Sequence, residues 1–321
     1  MKPFAFVFPG QGSQSVGMLD AWGDNPIVAQ TLQEASDALH EDMAALIKNG
    51  PKEALALTTN TQPVMLVSAV AAYRVWLAET GLAPSVVAGH SLGEYSALVA
   101  SGVLTLLQAA PLVRLRAQAM QDAVPVGQGA MAAILGLDAT KIIAVCSSIT
   151  SATGENESAS LIHSVQAANF NDPGQTVISG SKTAVDAACE QLKAAGAKRA
   201  LILPVSAPFH SQLMRPAAEK LQEALKSVTF AAPQIPVINN IDVSVQTDAV
   251  AIKDALYRQA FGPVRWVECV AAIKAQGIST IVECGPGKVL AGLVKRIDAE
   301  LTGVALFDPA SLAEVKLLLQ S

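Results

Sequence analysis

Apolar and polar positions along this chain follow first one period and then another, and each change of period marks an element. The run Phe4–Phe8 is wholly apolar and stops at Pro9-Gly10, which predicts a short buried strand leading into a glycine-rich turn. Helical spacing follows over about 26–40, 41–48, 51–57 and 62–80. PSVVAGHS then reads as a strand and a turn, with a helix from about Leu92 to Ser101. Thr105 opens the next helix, with Gln108 placed for a capping box. That helix continues to about Gln121 and holds Pro111, whose missing N–H predicts a kink.

From Gly129 the periods alternate faster. AMAAILGL is a strand, DATKIIAVCSSIT a helix and IHSVQAANF a strand; after a turn at NDPG come the strand QTVISG, the helix SKTAVDAACEQLKAAG and the strand KRALILPV. That order is βαββαβ, the split arrangement of ferredoxin-like units. The polar stretch SATGENESAS inside it predicts a mobile loop. Beyond His210 helices and strands alternate again, including ISTIVECGPG, as a parallel sheet requires. The expected fold is α/β: residues 1–127 and 204–321 form a large α/β-hydrolase-like domain with a parallel sheet, and 128–203 form a small inserted ferredoxin-like domain.

Composition narrows the class. At 321 residues with 51% hydrophobic and 15% charged positions, the chain can bury a large core and is not disordered. The most apolar helix, PVMLVSAVAAYRVWLAE, carries Arg74, and no run reaches the ~18 uninterrupted apolar residues of a membrane span. The N-terminus lacks a secretory signal, so a cytoplasmic location is expected. A net charge of −5 and the lack of a basic stripe argue against nucleic acid as a partner. Local basic residues remain at Lys198-Arg199, Lys288 and Lys295-Arg296. The four cysteines, Cys146, Cys189, Cys269 and Cys284, form no C-x-x-C pair and read as buried thiols, with no metal site expected.

One motif carries chemistry. GHSLG at 89–93 fits the G-x-S-x-G nucleophile elbow, with a strand before it and a helix after it. Ser91 would project from the sheet edge, and the helix N-terminus would face developing negative charge. A helix-capping serine is the plainer reading, but the full match in the right context favours a nucleophile. Among four histidines, His90 is held in the turn itself, His40 ends a surface helix and His163 follows the polar loop. His210, between a strand and a helix in PVSAPFHSQLM, is therefore the base expected by elimination. No third-member acid stands out; Asp242 and Asp248 are both open. A Ser–His dyad is sufficient for a thioester, whose thiolate leaves readily, with a carbonyl holding the imidazole tautomer. Arg114 and Arg116 point to different sides of an otherwise apolar helix, and an inward arginine must meet an anion. A guanidinium fork suits a carboxylate, but the pattern alone does not choose between the two.

Taken together, FPGQGSQ at 8–14, GHSLGEYSALV at 89–99, RLRAQAMQ at 114–121, NFNDPGQTVISG at 169–180, FHS at 209–211 and ECGPGKVLAGLVKR at 283–296 resemble the malonyl-CoA:acyl carrier protein transacylases, in order and from end to end. The resemblance implies Ser91 as nucleophile and His210 as base, the backbone N–H groups of Gln11 and Leu92 as oxyanion hole, and Arg116 as clamp on the malonyl carboxylate. It implies that the Gln259 carbonyl orients His210, that Phe209 marks the malonyl-selecting form, and that Asn169 lines the pocket. It further implies an enzyme with no cofactor of its own, acting on malonyl-CoA and phosphopantetheinylated acyl carrier protein to supply extender units for fatty acid biosynthesis; nothing in the sequence demands more than a monomer. The alternatives are a serine esterase or thioesterase, a trans-acting acyltransferase of a polyketide pathway, and a catalytically silent carrier-protein docking module. An esterase would place an acid between Ser91 and His210 and would need no buried arginine.

Overall fold

In the computed structural model, which describes residues 2–151 and 163–320, the strands in chain order are β1 (Phe4–Phe8), β2 (Val86–Gly89), β3 (Gly129–Leu135), β4 (Val165–Asp172), β5 (Gln175–Ser181), β6 (Arg199–Ile202), β7 (Val237–Ile238), β8 (Thr280–Cys284) and β9 (Thr302–Leu306). The helices are α1 (Pro26–Leu39), α2 (Met43–Asn49), α3 (Lys52–Ala56), α4 (Thr58–Thr80), α5 (Gly93–Ala100), α6 (Leu106–Asp122), α7 (Ala139–Ser151), α8 (Lys182–Ala194), α9 (Arg215–Ser227), α10 (Ala249–Phe261), α11 (Trp266–Ala275), α12 (Val289–Ile297) and α13 (Pro309–Gln320).

Five strands form a parallel sheet in the order β7-β2-β1-β8-β9, with β1 in the middle and buried on both faces. The two-residue period of a strand divides its side chains. Phe4, Phe6 and Phe8 turn to one face, where Tyr73 and Trp76 of α4 meet them edge-on at 5.6–6.1 Å between ring centres. Ala5 and Val7 turn to the other face and pack with Val86, Ala88 and Trp266. Helix α4 is buried along most of its length, which is why its sequence shows no polar stripe. Among the described residues no helix is long and apolar enough to cross a membrane.

Four strands form an antiparallel sheet in the order β4-β5-β3-β6, and α7 and α8 cover one of its faces. Alternation again decides the packing. Ala130, Ala132 and Ile134 of β3 face α7 and α8, whereas Met131 and Ala133 join the core of the parallel-sheet unit. The fold is therefore mixed α/β, with a parallel sheet and a small ferredoxin-like antiparallel one. The two are stitched together where Phe170 N–H donates to Val264 O (2.9 Å) and Val264 N–H to Ala168 O (2.8 Å).

Two boundaries differ from the sequence expectation. Helix α4 starts at Thr58 rather than 62, with Pro63 inside it. Pro63 offers no N–H to the Thr59 carbonyl, and Arg114 Nη1 fills that role at 2.6 Å. Strand β6 stops at Ile202, short of Pro204, which cannot donate to a ladder. Helix α6 has the expected capping box and continues through Pro111 to Asp122. The polar loop expected over Ser151–Ser160 lies, beyond its first residue, outside the described residues.

Candidate active site

The first catalytic candidate stands where β2 ends. Parallel pairing sets Phe8 beside Gly89, so the turn after β1 and the turn after β2 emerge together at the carboxyl edge of the sheet. Both glycines of GHSLG are required by contact. A Cβ on Gly89 would lie 1.9 Å from the Gly93 carbonyl carbon, and one on Gly93 would lie 2.1 Å from the Phe8 carbonyl oxygen. That crossing forces Ser91 into the left-handed region, at φ 53°. Asn240, two residues beyond β7, holds the strained turn: its Oδ1 accepts from Ser91 N–H (2.7 Å) and its Nδ2 donates to Gly89 O (2.7 Å).

Ser91 Oγ lies 2.6 Å from His210 Nε2. The imidazole is buried, and its Nδ1 faces two carbonyl oxygens, Gln259 O at 3.0 Å and Gly262 O at 3.1 Å. These fix the tautomer with a proton on Nδ1 and an acceptor lone pair on Nε2. No carboxylate occupies that place. Asp242 is instead tied bidentately to Arg258 (2.7 Å to each oxygen), and Asp248 caps α10. His210 also has a positive φ, 59°, and Gln166 of β4 braces its backbone, donating to His210 O (3.1 Å) and accepting from Gln212 N–H (3.0 Å). Burial and then the nearby Arg116 charge push the His210 pKa down to about 3.

The structure separates the two arginines of α6. Arg114 faces outward, bonded to Thr59 O, Asn60 Oδ1 and Glu41. Arg116 is 2% exposed and turned into the site. Its Nη1 donates to Gln62 Oε1 (2.6 Å), and its Nη2 to Gln259 Oε1 (3.1 Å) and Ser91 Oγ (3.2 Å). None of these acceptors carries a charge, and Nε has no partner among the described residues. A buried guanidinium with neutral neighbours and a spare donor is an incomplete ion pair.

Comparison with known proteins agrees with this chemistry. The acyl transferase domain family matches residues 5–300. The chain belongs to the acyl transferase family. It is similar to the malonyl CoA-acyl carrier protein transacylase of Salmonella typhimurium, 53% identical over 98% of each chain. Among solved structures it is similar to the acyl-carrier-protein S-malonyltransferase of Burkholderia pseudomallei (61% identity, 98% and 99% of the two chains, TM-score 0.93). It is equally similar in fold to a malonyl-transacylase solved in complex with its type II polyketide synthase acyl-carrier protein (49% identity, all of both chains, TM-score 0.93).

Of the remaining expected residues of this acyl transferase, Gln11 and Asn169 line a cleft. A cavity of about 280 Å³ is lined by the Pro9–Ser13 turn, by Asn169, Asn171 and Val177 of the small sheet, and by Leu290 and Leu293 of α12. Gln11 is exposed on that turn, its side chain bonded to Thr58 Oγ1 at 3.2 Å. Leu92 is buried at the foot of α5; among the described residues neither its N–H nor that of Gln11 has an acceptor. Phe209 packs in the main core, while Asn169 has a buried Oδ1 with no partner among the described residues. His90 is turned from the nucleophile towards Asn171 Oδ1 (2.9 Å), His163 bonds Thr183 Oγ1 (3.2 Å) and His40 ends α1. All four cysteines are free and buried.

Sequence reading passed over Gln62, Glu94 and Asn240, which complete the acyl transferase site. Glu94 sits inside GHSLGEYS and was visible as an acid in an apolar helix; it is 2% exposed, and burial raises its pKa to about 7. Gln62 and Asn240 gave no local signal, because their partners lie 54 and 149 residues away. Among the described residues no cluster of His, Cys, Asp and Glu could hold a metal ion.

Proposed function

We propose that this acyl transferase moves a malonyl group from malonyl-CoA to the phosphopantetheine thiol of an acyl carrier protein, through a malonyl ester on Ser91. The observation that carries this reading is the buried Arg116 guanidinium, hydrogen-bonded to no charged group among the described residues and standing 3.2 Å from the nucleophile oxygen. It supplies the one feature that separates a diacid acyl group from acetyl. His210 Nε2 takes the Ser91 proton as Oγ attacks the thioester carbonyl. The N–H groups of Gln11 and Leu92 receive the oxyanion, worth about 3–4 kcal/mol for each donor. Coenzyme A leaves as a thiol with the proton returned from Nε2. The carrier thiol then gives its proton to His210, attacks the ester carbonyl, and Ser91 leaves with the proton restored. Gln259 O and Gly262 O hold the imidazole through both halves. Phe209, beside His210, limits room at the α-carbon of the acyl group, and Asn169 and the cleft receive the pantetheine arm.

Carboxylate pairing on Arg116 holds the ester in one orientation, so the arriving thiol competes well against water. The relative solved with its carrier protein supports a carrier as acceptor. Lys288, Lys295 and the Lys198-Arg199 pair are exposed, and Leu203 and Leu290, which follow closely on two of them, line the same cleft. They are the proposed landing site for an acidic carrier, whose transfer rate should then fall with salt.

Intact-protein mass spectrometry after mixing with malonyl-CoA tests the reading. A malonyl adduct on Ser91, discharged faster by holo carrier protein than by water, is expected. Rapid turnover without an acceptor would establish a thioesterase instead, and no adduct would leave a docking module.

A further inference from the structure

We propose that Glu94 is a positioning residue that sets the direction of the Gln259 amide and, through it, the aim of Arg116 and the seat of His210. The proposal rests on the malonyl-transfer reading only for what Arg116 grips. Glu94 makes no hydrogen bond to the Ser91 hydroxyl, the imidazole or the guanidinium. It lies one layer behind them, and its Oε2 accepts from Gln259 Nε2 (2.9 Å) and Asn240 N–H (2.9 Å).

Gln259 is fully buried and hydrogen-bonds four residues of the site. Its backbone oxygen holds His210 Nδ1, its Oε1 accepts from Arg116, and its Nε2 donates to both Glu94 and Ser91 O (3.0 Å). An amide has two ends, and rotation by half a turn exchanges them. A carboxylate can only accept, so an ionised Glu94 requires the NH₂ end to face it. The reversed amide would set Oε1 against the Glu94 carboxylate and the Ser91 carbonyl, and would point NH₂ at a guanidinium. Ionised Glu94 thus joins the Ser91 carbonyl and the Arg116 guanidinium in favouring one arrangement, in which Oε1 draws Arg116 Nη2 towards the nucleophile. Glu94 also anchors the backbone N–H of Asn240, the residue whose side-chain Oδ1 holds the Ser91 N–H. A carboxylate this deep is costly, and burial lifts its pKa to about 7 against the pull of Gln259, Asn240 and Arg116.

Glu94→Gln keeps the volume and one acceptor but adds a donor, so only the Ser91 carbonyl and the Arg116 guanidinium are left to bias the Gln259 amide. Two readouts follow: the ratio of malonyl to acetyl loading on Ser91 by intact mass, and the side-chain NMR signals of Arg116, assigned by their loss in Arg116→Lys. The ratio is expected to fall at least about fivefold, the worth of one oriented hydrogen bond. The Arg116 Nη signals are expected to shift and broaden. A ratio or an Arg116 spectrum unchanged from the parent protein overturns the proposal. Should Glu94→Gln not fold, Glu94→Asp withdraws the charge by one methylene and should move both readouts the same way. A parent protein that loads no malonyl would refute the transfer reading, and the arginine spectrum would still decide the role of Glu94.

Discussion

Removing the guanidinium of Arg116 separates the proposed transferase from any other serine acyl enzyme. Arg116→Ala deletes three hydrogen bonds and, among the described residues, the only positive charge bonded to the Ser91 hydroxyl. A malonyl carboxylate brought to that place would be left desolvated and unpaired, which costs about 2–5 kcal/mol. Malonyl loading should therefore fall about 30-fold to several thousand-fold. Acetyl has no carboxylate to lose. For acetyl the charge acts the other way, because after burial it is Arg116 that holds the His210 pKa down near 3. With the charge gone the imidazole is a stronger base, so acetyl loading should hold or rise. The assay is the time course of Ser91 acylation by malonyl-CoA and by acetyl-CoA, read as intact mass, on parent and variant. An equal loss with both donors would refute the reasoning, since it would make Arg116 a support for the nucleophile and not a grip on the acyl group.

Two other outcomes follow. The Glu94 carboxyl titrates at about 7 in the fold against an ordinary 4.5, so its contribution to stability is present below pH 4.5 and is lost as pH rises through 7. Glu94→Gln should thus be more stable than the parent at pH 8, by up to about 3 kcal/mol, and gain nothing at pH 4.5; a lower melting temperature at pH 8 would refute this. Gly89→Ala puts a methyl 1.9 Å from the Gly93 backbone and must displace the elbow. Ser91 loading should fall about 100-fold while the protein still folds, and an unchanged loading rate in a folded variant would show that the crossing has slack.

What the sequence disclosed and what it withheld divide along physical lines. GHSLG was legible because its two glycines and the strained serine between them are a backbone requirement, written within five adjacent residues. The βαββαβ unit was legible because each change of period is local. The choice between Arg114 and Arg116 was not, since both sit on a helix with little amphipathic contrast. It is settled by what α4 offers across the gap: an orphan carbonyl at Thr59 for one, and Gln62 for the other. The search for a triad acid among Asp242 and Asp248 had no answer because carbonyl oxygens face His210 Nδ1, and every residue carries one. Glu94 was in plain view, but its place behind Gln259 depends on a helix 165 residues away.

These relations explain how a stable fold tolerates a lone cation beside its nucleophile. Gln62 and Gln259 give Arg116 oriented oxygen dipoles, and the Tyr95 ring lies 5.5 Å from the guanidinium carbon. That neighbourhood partly replaces hydration without neutralising the charge, and burial accordingly lowers the Arg116 pKa. A full carboxylate in the position of Gln259 would stabilise the resting site further and would also occupy the grip. Setting the carboxylate one amide farther back, at Glu94, lets the negative charge orient the site while the guanidinium keeps neutral acceptors only. When a malonyl carboxylate binds in the proposed reaction, it neutralises the charge that weakens His210. The substrate that fits the grip thereby strengthens the base that activates Ser91, and an uncharged acyl group does not.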